Sequence, residues 1–186
     1  MTNNQTNKTL IVFFDSGDTI VEEATEIRND AGIVVDCKLH AGMKELLREL
    51  KNDGFTLALV ADGEVDSFKN IYELHELSDI FTARAVSQAV GIMKPAREMF
   101  QTAFDLLKLS EADKKRVVMI GNRYGRDVLG ANRYGIKSVM FNWSTRYANE
   151  KPESQEEMPD FTVSTAEELK KLIYKLEAEA EGELSK

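Results

Sequence analysis

A few polar residues stand where apolar runs stop. Asp15 follows "LIVFF" (10–14), Asp62 and Gly63 follow "TLALVA" (56–61), and Asn122 follows "VVMIG" (117–121), with Asp127 a little further on. Lys94 lies directly ahead of Pro95, at the entrance to a helical pattern. Carboxylate and amide oxygens are hard donors suited to a divalent cation, and a lysine beside them supplies charge for an oxyanion. Gathered in one place, these groups make a cation-and-oxyanion site. Scattered, each is an ordinary turn or surface residue.

The elements between them decide the matter. "TLIVFFD" (9–15), "TLALVAD" (56–62), "RVVMIGN" (116–122) and "KSVMFNW" (137–143) are near-continuous apolar runs, with weaker strand patterns at 81–87 and 161–164. Such runs are expected where both faces of a sheet are covered. Helical spacing separates them: Met43, Leu46, Leu47 and Leu50; then Met99, Phe100, Ala103, Phe104 and Leu107 after Pro95; then Leu169, Leu172, Ile173 and Leu176. Ser164 and Glu167 have capping-box spacing ahead of the last helix. Strand and helix alternate, which predicts an α/β fold: a doubly wound, mostly parallel Rossmann-like sheet with helices on both faces. Residues 20–36 break the rhythm, alternating apolar with polar around "NDAG", and read as a small β-hairpin flap after the first strand. In open parallel sheets ligands collect beyond the carboxyl ends of the strands, where the polar residues above are found.

Composition narrows the classes. The 186 residues, 42% of them hydrophobic, suit a single domain, expected over 9–176, with polar tails at 1–8 and 177–186 expected to fray. A formal charge of −8 disfavours nucleic acid. No run approaches the ~18 apolar residues of a membrane span, and the first residues lack the apolar stretch of a signal peptide. The single Cys37 suits a reducing compartment and reads as an inert core thiol, so the expectation is a soluble, cytoplasmic protein of open oligomeric state. His40 and His75 are not spaced as a metal pair and read as helix-end or surface residues. Trp143 reads as a cap on the core; Arg123 and Arg126 either meet an acidic substrate or face solvent.

Four stretches together resemble the haloacid dehalogenase-like (HAD) superfamily. "FFDSGDTI" is similar to its D-x-D-G-T motif, "LALVADG" stands in place of the second, "KP" at 94–95 matches the third, and "IGNRYGRDVLGANRYGI" (120–136) is close to the fourth, in the right order over residues 10–143. Gly121, Asp127, Gly130, Ala131 and Gly135 all fall in place in that last motif. The resemblance implies a magnesium-dependent hydrolase, a phosphatase in which Asp15 attacks a phosphoryl group and becomes an aspartyl-phosphate. It implies that Lys94 stabilises the transferring charge. Asp15, the Gly17 carbonyl, Asn122 and Asp127 would hold Mg2+, Asp62, Gly63 and Lys94 would bind phosphate, and Thr19 would shape the loop.

The departures carry consequences. Thr19 sets the register, so Gly17 stands where the family's second aspartate, its acid and base, belongs, and Asp18 stands where glycine is common. Ala61 lacks the usual hydroxyl, and Asn122 replaces an aspartate. Loss of a positioned acid/base costs about 10²–10⁴ in rate, so slow turnover is expected, best on good leaving groups. The flap is too short for a mobile cap domain, which suits a bulky phosphorylated substrate or closure by a partner. The alternative is a catalytically impaired binding or regulatory protein on the same fold. A signalling receiver domain fits poorly, because its accepting aspartate would follow the third strand. Dehalogenation dispenses with magnesium and so fits a retained Asp127 less well.

Overall fold

Four apolar runs and two weaker strand segments make one sheet, which helices cover from both sides. The computed structural model describes residues 7–147 and 149–184. Strands β1 (Ile11–Phe14), β4 (Thr56–Ala61), β5 (Ala83–Val86), β6 (Val117–Gly121), β7 (Lys137–Phe141) and β8 (Phe161–Val163) pair in parallel, in the order β5-β4-β1-β6-β7-β8. Alternate residues point to opposite faces. Val12, Phe14, Leu57, Leu59 and Ile120 pack with helices α1 (Met43–Asn52), α2 (Val65–Leu74) and α6 (Ala166–Leu184). Ile11, Phe13, Ala58, Val60 and Met119 pack on the other side with α4 (Arg97–Leu107) and α5 (Leu129–Tyr134). A single turn, α3 (Ser87–Val90), follows β5. The doubly wound α/β architecture is thus the one the apolar runs predict.

The hairpin is present, formed by antiparallel β2 (Val21–Arg28) and β3 (Val34–Leu39), and it runs a few residues past the predicted end at 36. Its turn closes because the Asn29 side chain accepts from the N–H groups of Ala31 and Ile33, each at 3.0 Å. It is docked on α2: the Val34 N–H donates to Ser67 Oγ at 3.0 Å, and Asn70 Nδ2 donates to the Val34 carbonyl at 2.9 Å.

Two boundaries differ from expectation. Helix α6 does not end at 176 but runs to Leu184, because Glu177 is buried and its carboxylate accepts from the N–H groups of Thr9 (3.0 Å) and Leu10 (2.6 Å), just ahead of β1. Lys8 is tied down too, donating its N–H to the Gly54 carbonyl and pairing with Glu177 and Glu181. The rest of the two expected tails, residues 1–6 and 185–186, lies outside the described residues. The cap of α6 is shifted by one position: Thr165 Oγ1 accepts from the Glu168 N–H, and the Glu168 carboxylate accepts from the Ser164 N–H. Among the described residues, no helix is long and apolar enough to cross a membrane.

If Glu177 anchors the entry to β1, Glu177→Ala loses two charge-assisted hydrogen bonds in a buried setting. It should destabilise the fold by about 2–4 kcal/mol, read by urea unfolding. A frayed tail would show no change.

Candidate active site

The sheet order reverses at β1, with β4 on one side and β6 on the other. Phe14 is level with Leu59 and Ile120, so the residues that follow these three strands emerge side by side at the carboxyl edge. Asp15, Gly17, Asp62, Lys94, Asn122 and Asp127 all line one cavity there, of about 250 Å³.

Lys94 is its hub. The ammonium donates to Asp15 Oδ1 at 2.7 Å, to Asp127 Oδ1 at 2.7 Å and to the Val60 carbonyl at 2.8 Å, which uses all three of its protons. Its backbone N–H donates to Asp62 Oδ1 at 2.9 Å. Burial alone would strip such an ammonium of its charge, but Asp127, Asp15 and Asp62 outweigh it and push the lysine pKa well above its ordinary value. Asp127 shows the converse: complete burial pushes its carboxyl up to about 6, against the opposing pull of Lys94. Its second oxygen accepts from the Arg123 N–H at 3.1 Å. Gly121 is required here, since a Cβ at that position would lie 2.2 Å from the Asp127 carboxyl carbon. Thr19 Oγ1 donates to Asp15 Oδ2 at 3.4 Å and steadies the carboxylate from below.

The donor set suits magnesium. Asp15 and Asp127 carboxylates, the carbonyl oxygen of the buried Asn122 amide and the Gly17 carbonyl are the oxygen donors these residues can offer the cavity. Among the described residues no group of three or more His, Cys, Asp or Glu side chains could hold a metal ion. A cation here would therefore rest on two carboxylates, neutral oxygens and water, which fits Mg2+, an ion that keeps several waters.

Gly63 does not join the cavity. Its N–H donates to Ser87 Oγ at 2.9 Å, so it is unavailable as half of a phosphate cradle, and the glycine faces a neighbouring groove instead. That groove, about 730 Å³, shares Asp62 and Arg126 with the cavity and has Ile92 and Met93 on its wall. The Asp62 carboxylate is occupied by the Lys94 N–H and by Arg126, at 3.5 Å.

Arg123 and Arg126 both line the cavity. Arg123 is ion-paired with Glu150 and stacked over Tyr147 at 4.1 Å. Asp18 turns away: its carboxylate accepts from the Glu23 N–H at 3.0 Å and meets Arg146 at 3.4 Å. Burial raises the pKa of both Asp18 and Glu23, with Arg146 pulling the other way. Elsewhere, Cys37 is buried and its thiol is pushed up to about 11, an inert group. His40 stacks on Trp143, whose Nε1 donates to the Asp18 carbonyl at 2.7 Å.

Two cavity residues escape the motif reading, Glu23 and Tyr147. Glu23 carries a signal in retrospect. In a strand, residues 21 and 23 share a face, and Val21 is wholly buried, so the glutamate occupies an inward position.

The sequence profile of the haloacid dehalogenase-like hydrolases matches residues 2–141. The glyceraldehyde 3-phosphate phosphatase of Pyrococcus furiosus is 30% identical over 139 residues, 74% of this chain and 54% of that protein. The chain spans about half the length of the curated relatives it matches. Among solved structures, YfnB from Bacillus subtilis, bound to magnesium, superposes with a TM-score of 0.62 at 22% identity, over 73% of this chain and 56% of that one. The L-2-haloacid dehalogenase of Xanthobacter autotrophicus gives a TM-score of 0.71 at 15% identity, over 91% and 99%. At such identities the structural likenesses show the fold alone, and the fold does not choose the chemistry.

Removing the ammonium tests the hub. Lys94→Met leaves two buried carboxylates facing each other and should cost about 3–5 kcal/mol at neutral pH. A carboxyl whose folded pKa lies above its unfolded value stabilises the fold below that raised value and loses the contribution as pH rises through it. Asp127 starts at about 6 and climbs further without the lysine. Urea unfolding should therefore show the variant less impaired near pH 5 than near pH 7.5.

Proposed function

Because the chain belongs to the haloacid dehalogenase-like hydrolase family, we propose that it hydrolyses a phosphate monoester by way of an aspartyl-phosphate on Asp15. The observation that carries this reading is the contact of the Lys94 ammonium with the Asp15 carboxylate, 2.7 Å, at the sheet's carboxyl edge. A nucleophile must attack a group that itself bears negative charge, so positive charge must be fixed beside it. Lys94 provides that charge and orients Oδ1, Thr19 holds Oδ2, and Oδ2 is the less constrained oxygen for attack on phosphorus. Since all three lysine protons are already committed, a phosphoryl oxygen reaches the ammonium by displacing one of its present partners.

Magnesium, held by Asp15, the Gly17 carbonyl, Asn122 and Asp127, would supply the charge that offsets repulsion between carboxylate and phosphate. Arg123 and Arg126 add positive charge at the cavity wall. The groove beyond Arg126, with Ile92 and Met93 on its wall, gives the organic part of the substrate a place to lie. The relative named as a glyceraldehyde 3-phosphate phosphatase supports a small phosphorylated substrate. Residue 17 contributes no acid, so esters with poor leaving groups react slowly unless another group protonates the departing oxygen.

With magnesium present, the protein should release para-nitrophenol from para-nitrophenyl phosphate, and Asp15→Asn should lower kcat/KM by at least about 100-fold. Equal turnover by the two proteins would remove Asp15 as nucleophile and leave the fold as a binding protein.

A further inference from the structure

Gly17 is not a glycine for the sake of its backbone: it is absent from the left-handed positions of the chain, and other residues could adopt its conformation. What stands in the space of a side chain is Glu23. A Cβ on residue 17 would lie 2.1 Å from Glu23 Oε1 and within 2.9 Å of its Cδ and Cγ. The hairpin thus delivers a carboxylate to the space directly above the 15–19 loop, where a side chain of residue 17 would begin.

That carboxylate is held at one end and open at the other. Oε2 accepts from Arg146 Nη1 at 2.5 Å and from the Tyr147 hydroxyl at 3.4 Å, while Oε1 receives no hydrogen bond among the described residues. The Glu23 N–H is fixed by Asp18 Oδ1, and Arg146 bridges Asp18 and Glu23, so the loop and the hairpin are strapped together. The other carboxylates facing the cavity are spoken for. Both oxygens of Asp127 and of Asp62 are bonded, and Asp15 is clasped by Lys94 and Thr19.

We propose that Glu23 is the acid/base of this site, supplied by the hairpin in place of any side chain on the nucleophile's loop. The inference rests on the phosphoryl-transfer reading above. As Asp15 Oδ forms its bond to phosphorus and the ester P–O bond breaks, the leaving oxygen takes the proton of the Glu23 carboxyl. The Glu23 carboxylate then takes a proton from water as the water oxygen bonds to phosphorus, the bond from Asp15 to phosphorus breaks, and inorganic phosphate departs. Both groups return to their starting states. Asp18 acts through Glu23 and is a positioning residue.

The test compares para-nitrophenyl phosphate, whose leaving group needs no acid, with ethyl phosphate, whose leaving group does. Glu23→Gln should lower kcat/KM on ethyl phosphate by about 100-fold or more and on the aryl ester by less than about tenfold. On the aryl ester kcat should fall instead, with a burst of nitrophenol equal to the enzyme concentration, because the phosphorylated enzyme accumulates. A folded variant losing kcat/KM equally on both esters, or losing none, would overturn the assignment. Gly17→Asp alone should lower activity by displacing the Glu23 carboxylate, and the Gly17→Asp/Glu23→Ala pair should recover part of the ethyl phosphate rate. No recovery in a double variant that melts like the parent also counts against the assignment. Failure of the parent reading looks different: Asp15→Asn would then match the wild type on both esters, or the wild type would turn over neither.

Discussion

One ammonium group holds the site and the sheet edge together. The Lys94 side chain crosses from the segment ahead of α4 to reach oxygens delivered by three strands: the Val60 carbonyl from β4, Asp15 after β1 and Asp127 after β6. A buried lysine is costly to desolvate and persists in charged form only where carboxylates repay that cost. The reverse holds for Asp127, which has no exposure to water worth counting and depends on the same lysine. Each charge is tolerable only because the others are there. An arrangement of this kind fixes distances within the cavity far more tightly than exposed pairs could.

The topology makes that meeting possible. In a sheet wound outward in both directions from β1, the connections on its two sides diverge, and a crevice opens at the strands' carboxyl ends. Level register then does the rest: the Asp15 N–H donates to the Ile120 carbonyl at 2.9 Å, extending the β1–β6 ladder by one step and locking the carboxylate beside Gly121. The bare face of Gly121 admits the Asp127 carboxyl, which folds back from the π-helical turn over Tyr124–Val128. Backbone order thus sets the Asp15 and Asp127 carboxylates against each other before any ligand is considered.

Much of this is legible in the chain because it depends on local pattern. Continuous apolar runs announce strands covered on both faces, and the likeness of residues 120–136 to the family's fourth motif brings Gly121, Asp127 and Gly130 together. The hidden parts depend on contacts between distant segments. Glu177 looks like one more charge on a helix that has run out of apolar residues, until Thr9 and Leu10 supply two N–H groups to it. Gly63 looks like a free donor in a loop, until Ser87, 24 residues on, claims its N–H. Glu23 looks like the solvated side of a hairpin, although its register with Val21 turns it inward. Periodicity tells which face a residue takes; it does not tell what waits there.

The tight turn at 15–19 explains how two aspartates so close together come to do unlike things. The Ser16 carbonyl accepts from the N–H groups of Thr19, Ile20 and Val21, at 3.2, 2.8 and 2.9 Å, and Ser16 Oγ is paired with the Tyr72 hydroxyl at 2.9 Å. A loop curled that tightly shows the cavity one carboxylate, Asp15, and carries Asp18 round the back at φ 46°, a left-handed conformation that its short polar side chain tolerates. From there the Asp18 carboxylate meets the Glu23 N–H of the hairpin and Arg146. The bare backbone at Gly17, between them, leaves the room into which the hairpin returns a carboxylate on a longer arm. The loop itself shows the cavity no second carboxylate, and the order of Gly17 and Asp18 within "FDSGDTI" suits the hairpin: Gly17 leaves space for the Glu23 carboxylate, and Asp18 anchors the Glu23 N–H.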